Sequence, residues 1–133
     1  MIDIIKAWLK NFPGWKECTW FTDYLDPIPG CVGVFPHGCQ ALEEQSDITG
    51  VKKIRQRWEF AIYRVVSLWG DREKAAREAE DFQKWIQQTP SPVFGEDQKV
   101  EAKKGHLFQV RQQGESVYAL RLSIEFTKLI EVI

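Results

Sequence analysis

From Val117 to Phe126 an apolar or aromatic residue recurs at every second position, and no other feature of the chain restricts its fold as tightly. Tyr118, Leu120, Leu122, Ile124 and Phe126 fall on one side, while Arg121, Ser123, Glu125 and Thr127 fall on the other. A period of two belongs to a strand with one face buried and the other in water. A similar strand is expected from Ile54 to Val65. There Ile54, Trp58, Phe60 and Ile62 point one way, and Arg55, Arg57, Glu59 and Tyr63 the other. From Ala61 onward both of its faces turn apolar, as expected where a strand runs beneath a covering helix.

The helix that does the covering is legible between these strands. Ala75, Ala79, Phe82 and Ile86 recur at helical spacing, with Trp85 beside them and charged residues elsewhere, so Arg72 to Gln88 reads as an amphipathic helix. Asp71, after Gly70, is its expected N-cap, and Pro90 and Pro92 forbid its continuation.

Shorter elements surround this frame. Ile2 to Phe12 carries Ile4, Ile5, Trp8, Leu9 and Phe12 on one stripe and reads as a short helix ended by Pro13 and Gly14. Glu17 to Asp26 reads as a first strand, and Asp26 to Gly30 as a turn. Cys31 to Phe35 is a short strand closed by Pro36 to Gly38, and Ala41 to Ser46 pairs as another. Ser91 to Gln98 reads as a linker, Lys99 to Lys104 as an extended polar segment, and Leu107 to Arg111 as a strand. Gln112 to Ser116, with Gly114, is a hairpin loop. The expected fold is α+β: a twisted, largely antiparallel sheet covered by one main helix and a short N-terminal helix. With 133 residues, the chain has the length of a single domain.

A net charge of −1 predicts no general attraction to nucleic acid or anionic membrane, and gives little protection against self-association. No apolar run is long enough to span a bilayer, and the N-terminus lacks the basic and apolar blocks of a signal peptide. A cytoplasmic protein is expected. Three cysteines, Cys18, Cys31 and Cys39, cannot all pair within the chain and read as reduced thiols near a Gly/Pro-rich turn. His37 and Cys39 lie two apart, but no Cys-x-x-Cys pair accompanies them, so neither metal nor cofactor is expected.

Catalytic patterns are equally thin. His37 and His106 neighbour no recognisable nucleophile, and Trp69-Gly70-Asp71 carries one glycine and an acid that repels phosphate. Glu43-Glu44 and Glu80-Asp81 read as a solvated strand or turn edge and a solvated helix face. The expectation is a protein that is not an enzyme. Two basic clusters stand out: Lys52, Lys53, Arg55 and Arg57 at the start of the long strand, and Lys99, Lys103 and Lys104 before the hairpin. They fit either a nucleic-acid surface or edge strands guarded against unwanted pairing, and the balanced overall charge favours the guard. Among six tryptophans, Trp8, Trp58 and Trp85 fall in core stripes, leaving Trp15, Trp20 and Trp69 for exposed contact.

Four features recur together along the chain. An amphipathic N-terminal helix precedes Cys31-Val32-Gly33-Val34-Phe35-Pro36, and Asp47-Ile48-Thr49-Gly50 leads into the strand with Arg57-Trp58-Glu59-Phe60. The helix carries Phe82 and Trp85-Ile86 before a proline-rich break, and Gly114 precedes Tyr118-Ala119-Leu120-Arg121-Leu122. In this order the chain resembles the small phage tail-terminator and minor capsid proteins of siphophage and prophage morphogenesis clusters. The resemblance implies a structural protein that assembles as a hexameric ring at the end of the tail tube or head–tail joint. Tail-tube or head-connector proteins would be its partners, with DNA only as cargo in the lumen. It would be made in the cytoplasm of a bacterial host and end in the virion. No catalytic residue is carried over. Apolar residues Leu129, Ile130, Val132 and Ile133 at the chain end are the expected subunit contacts. The alternative is a small nucleic-acid-binding module using the basic strand around residues 52–57.

Overall fold

The structure, a computed structural model, describes residues 1–26, 28–46, 48–67, 72–110 and 115–131. Expected features at Asp47, Trp69, Gly70, Asp71, Gly114, Val132 and Ile133 lie outside the described residues. The chain runs α1 (Ile2–Leu9), a 3₁₀ turn (Pro13–Trp15), β1 (Thr19–Thr22), β2 (Cys31–Ser46), β3 (Val51–Ser67), α2 (Arg72–Gln88), β4 (Glu96–Val110) and β5 (Glu115–Glu131). The fold is α+β, a mixed five-stranded sheet in the order β1-β2-β3-β5-β4 with one main helix and a short N-terminal one. Among the described residues only the β1–β2 pair is parallel, and the other three pairs are antiparallel.

Alternation along β3 and β5 puts Phe60 opposite Leu122 and Ile62 opposite Leu120 on one face. That face packs with Val32 and Val34 of β2, Ala102 of β4, and Phe82 and Ile86 of α2 into the main core. The helix α1 adds Ile5, Trp8 and Leu9, with Trp8 lying 5.3 Å from Trp85 between ring centroids. A smaller cluster of Cys31, Val65 and Val117, joined by Phe21 and Leu25, sits at one end of the opposite face. Arg64 interrupts the apolar run of β3 and is held by Glu78 of α2 at 3.4 Å, each side chain only 13–14% exposed. This pair ties the helix to the sheet where neither charge meets much water.

The long strands exceed their cover. β3 and β5 have 17 residues each, and so does α2. At 3.3 Å per residue the strands extend about 55 Å, and at 1.5 Å the helix reaches about 25 Å. α2 alone is therefore too short to cover the long strands from end to end.

Several expected boundaries change. The two short strands at Cys31 to Phe35 and Ala41 to Ser46 are one strand, β2, with register shifts between Pro36 and Cys39 and between Ala41 and Glu43. β1 stops pairing at Val34, so beyond it β2 is a sheet edge, where a proline's missing N–H costs nothing and a bulge is tolerated. Gly38, at φ 93°, supplies the kink. The linker, polar segment and strand expected over residues 91–111 include one strand, β4, that starts at Glu96 and carries three register shifts. β1 has four residues rather than the longer run expected, ending at Thr22, before Asp23 turns the chain at φ 54°. The first helix stops at Leu9, and the 3₁₀ turn folds Trp15 inward instead of exposing it. Trp15 is 1% exposed, stacks on Phe82 at 4.8 Å, and donates its indole N–H to Glu78 at 3.3 Å. Trp20 is partly buried against the same core.

Candidate functional site

The face of the sheet opposite the helices is where charge collects. Cross-strand register brings Arg57 opposite Glu125 and Arg55 opposite Thr127, and places Lys99 on the other side of Glu125. Three strands thus meet at one carboxylate. Arg57 donates Nε–H and a terminal N–H to Glu125 Oε1 at 3.0 and 2.7 Å, and Arg55 donates to Oε2 at 3.2 Å. Arg55 also donates to Thr127 Oγ1 at 3.2 Å and to the Asp97 carbonyl at 2.9 Å. The hydrogen bonds from Arg57, joined by those from Arg55, hold the Glu125 carboxyl below the usual carboxylate range despite its partial burial. A depression of about 250 Å³ lies over this cluster, lined by Glu59, Glu101, Lys103 and Ser123 as well. Its wall alternates in sign and offers no apolar floor on which a small molecule would be desolvated.

The basic strand of the sequence divides accordingly. Lys52 turns to the other face of β3 and pairs with Glu44. Arg55 and Arg57 share Glu125. Lys53 alone of the four makes no ion pair among the described residues, and lines a shallow depression with Glu43 and Gln45. Lys99 pairs with Glu101 of its own strand at 3.1 Å.

Nucleophile and metal chemistry find little geometry. His37 lies over the charged face beside Glu59 and Arg121, whereas Cys39 turns to the other face and reaches Gln56 at 3.7 Å. They do not form a thiol–imidazole pair. Burial raises the thiol pKa of both Cys18 and Cys31, which keeps them protonated; Cys39 is exposed rather than buried as a small hydrophobe. Among the described residues no three His, Cys, Asp or Glu side chains gather as metal ligands. Glu43 and Glu44 point to opposite faces of β2, opposite Arg55 and Ile54 respectively. Glu80 and Asp81 lie exposed on α2.

The sheet's edges are its other distinctive feature. From Phe35 to Ser46, β2 has no described strand on its outer side, and neither has β4. At the chain end, Leu129 pairs with Lys53 and Ile130 with Lys52 as part of β5, so these residues continue the sheet rather than form a separate tail. Leu129 is 47% exposed.

Compared with known proteins, the chain matches no family model and no curated protein sequence. Among the described residues no helix is long and apolar enough to cross a membrane.

The sequence placed Glu125 on a polar face but did not mark it as a charge hub. Along the chain it is one acid in an alternating strand; only the register with β3 makes it the hub of two guanidinium groups. Glu78 is similar, since it collects both Arg64 and Trp15. Arginine within an apolar run was the available signal for Glu78, because a buried cation requires a partner.

Proposed function

We propose that this chain is a structural phage or prophage morphogenesis protein of the tail-terminator or minor capsid type, which assembles into a ring around passing DNA. The two long open edges of its sheet support this most directly. An exposed strand edge is a template for another strand, and a protein with two such edges has a donor and an acceptor surface for the same contact. Repeated head-to-tail contacts close into a ring when the rotation allows. The face opposite the helices suits a lumen, because Glu125, with Glu59 and Glu101 beside it, offsets much of the charge of Arg55 and Arg57 and weakens their hold on phosphate. In this reading the helical layer faces outward, and tail-tube or head-connector proteins stack on the ring. Virion localisation belongs to the same proposal.

The same neutralisation counts against the nucleic-acid-binding alternative, which needs Arg55 and Arg57 available to phosphates. Light scattering coupled to gel filtration tests the ring. Six chains of 15.5 kDa give about 93 kDa, and a species of that mass, or a concentration-dependent climb toward it, is expected. A monomer at every concentration, in the presence of tail-tube protein as well, overturns it.

A further inference from the structure

We infer that the Glu43–Ser46 segment of β2 in one copy docks as an added strand in a groove beside β4 of the next copy, with Glu43 opposite Lys103. This joint deepens the ring reading and rests on it for closure. Three successive antiparallel pairings make β2 and β4 run in opposite directions, so two copies in the same orientation present edges that pair antiparallel. The β4 edge has room for a strand. A groove of about 540 Å³ lies along it, lined by Lys99 to Lys103 in unbroken succession and by Gln83 and Gln87 of α2. Neither glutamine carboxamide has a hydrogen-bond partner among the described residues. A strand added there gains backbone bonds from β4 and meets carboxamide groups from the helix.

Regularity, charge and closure select one register. β2 is free of register shifts from Glu43 to Ser46, and β4 from Lys99 to Lys103. Side chains keep to their own face only in steps of two, because one residue of slip turns every side chain over. Glu43 opposite Lys103 lays the whole β2 window on the β4 window: Glu44 meets Ala102, Gln45 meets Glu101 and Ser46 meets Val100. Glu43 opposite Lys99 would leave a single regular pair, and Glu43 opposite Glu101 would set two acids together. Lys103 stands directly across from Arg121 on β5, an unfavourable like-charge pair, and neither Lys103 nor Glu43 makes an ion pair among the described residues. Glu43 supplies the missing acid across the joint. Gln45, which donates to Glu43 at 3.1 Å within the subunit, is then placed to donate to Glu101.

Closure agrees independently. Glu43 stands level with Arg55 of β3, and Lys103, through Arg121, with Ala61, six residues further along the same strand. Each copy of five strands is therefore displaced by six residues, or about 20 Å along the strands for about 24 Å across them. That ratio tilts the strands by about 40° from a ring axis, within the ~35–45° of closed sheets. The Glu101 register would give about 30° and the Lys99 register about 15°.

The test is cysteine cross-linking in a Cys39→Ser background, with the mass read in parallel by light scattering. Directly opposed residues of an antiparallel pair have Cα atoms about 4.5–5.5 Å apart, within disulfide reach. Glu43→Cys with Lys103→Cys is expected to give a covalent ladder on oxidation. Glu43→Cys with Glu101→Cys, and with Lys99→Cys, are expected to remain largely uncross-linked. Glu43→Lys or Lys103→Glu alone should weaken association about five-fold per joint, and the double reversal should restore it. These side chains are exposed, so folding is expected to survive and is checked by circular dichroism. An assembly of unchanged mass that cross-links in another register, or ignores the charge reversals, overturns this joint and leaves the ring reading standing. A strict dimer, or a monomer under all conditions, overturns both.

Discussion

At the scale of single residues, Trp8 and Glu125 stand at opposite ends among the described residues: a buried donor without a partner and a carboxylate with several. Trp8 Nε1 is buried and donates no compensating bond among the described residues, whereas the indole of Trp15 reaches Glu78. A buried donor left unpaired forfeits its hydration, so removing it is cheap when the ring shape is kept. Trp8→Phe removes that unpaired donor but leaves a gap beside Trp85, so a loss of about 1–2 kcal/mol is expected in urea denaturation, less than an ordinary large-to-small core change costs. Glu125 is the opposite case. Its folded pKa lies below the ordinary 4.5, chiefly because Arg57 donates to it. Its ionised form therefore stabilises the fold above the unfolded pKa, and that contribution is lost as pH falls through the depressed folded value. The stability difference between the wild type and Glu125→Gln should be largest near neutral pH and should shrink below about pH 4. Denaturation midpoints measured across acid pH check it; a constant difference would mean the carboxylate charge contributes nothing.

At the scale of elements, the close fit between α2 and the sheet rests on a missing side chain. A Cβ at Gly105 would stand 2.8 Å from Ala79 Cβ and 3.2 Å from Leu120 Cγ. Gly105→Ala should push the helix off β4 and cost about 1–2 kcal/mol, the range for overpacking a core, as a lower denaturant midpoint. Elements of this kind were legible to the degree that periodicity marked them. Alternation from Val117 to Phe126 and the helical stripe of Ala75, Ala79, Phe82 and Ile86 both lie against the core, and both elements formed where expected. β2 and β4 were not legible as single strands. Each is an edge, so Pro36 and Gly38 are tolerated in one and polar residues in the other without a breach of the sheet. Trp15 escaped for a different reason: it falls outside every apolar stripe, yet the 3₁₀ geometry turns its indole back onto Phe82. The charged cluster was half legible. Arg55 and Arg57 stood out along the chain, but the carboxylate they share lies 70 and 68 residues further on.

At the scale of the whole molecule, the distribution of charge determines whether a ring of such subunits would hold DNA or let it pass. The chain is close to neutral, and the guanidinium groups of Arg55 and Arg57, which face away from the helices, are bound to Glu125. A phosphate approaching them must displace that carboxylate and is repelled by it at short range. Binding to duplex DNA by the wild-type protein should accordingly be weak at physiological salt, no tighter than the ~10⁻⁴–10⁻⁶ M of ordinary non-specific association. Glu125→Gln removes the competing charge while leaving an amide that can still accept from Arg57. It should remove the counter-charge of both guanidinium groups and so raise the positive charge offered to phosphate by one per subunit. In an assembled ring this gain repeats around the lumen, so affinity for DNA should rise and its fall with salt should steepen by about 0.9 in log–log slope for each additional phosphate neutralised. Fluorescence anisotropy of a labelled duplex, titrated at several salt concentrations with wild type and Glu125→Gln, measures both quantities. Equal slopes for the two proteins would mean that the Arg55–Arg57–Glu125 cluster does not face the DNA. The bare sheet would then lie on the outside of any ring, and the helical layer would have to line the hole.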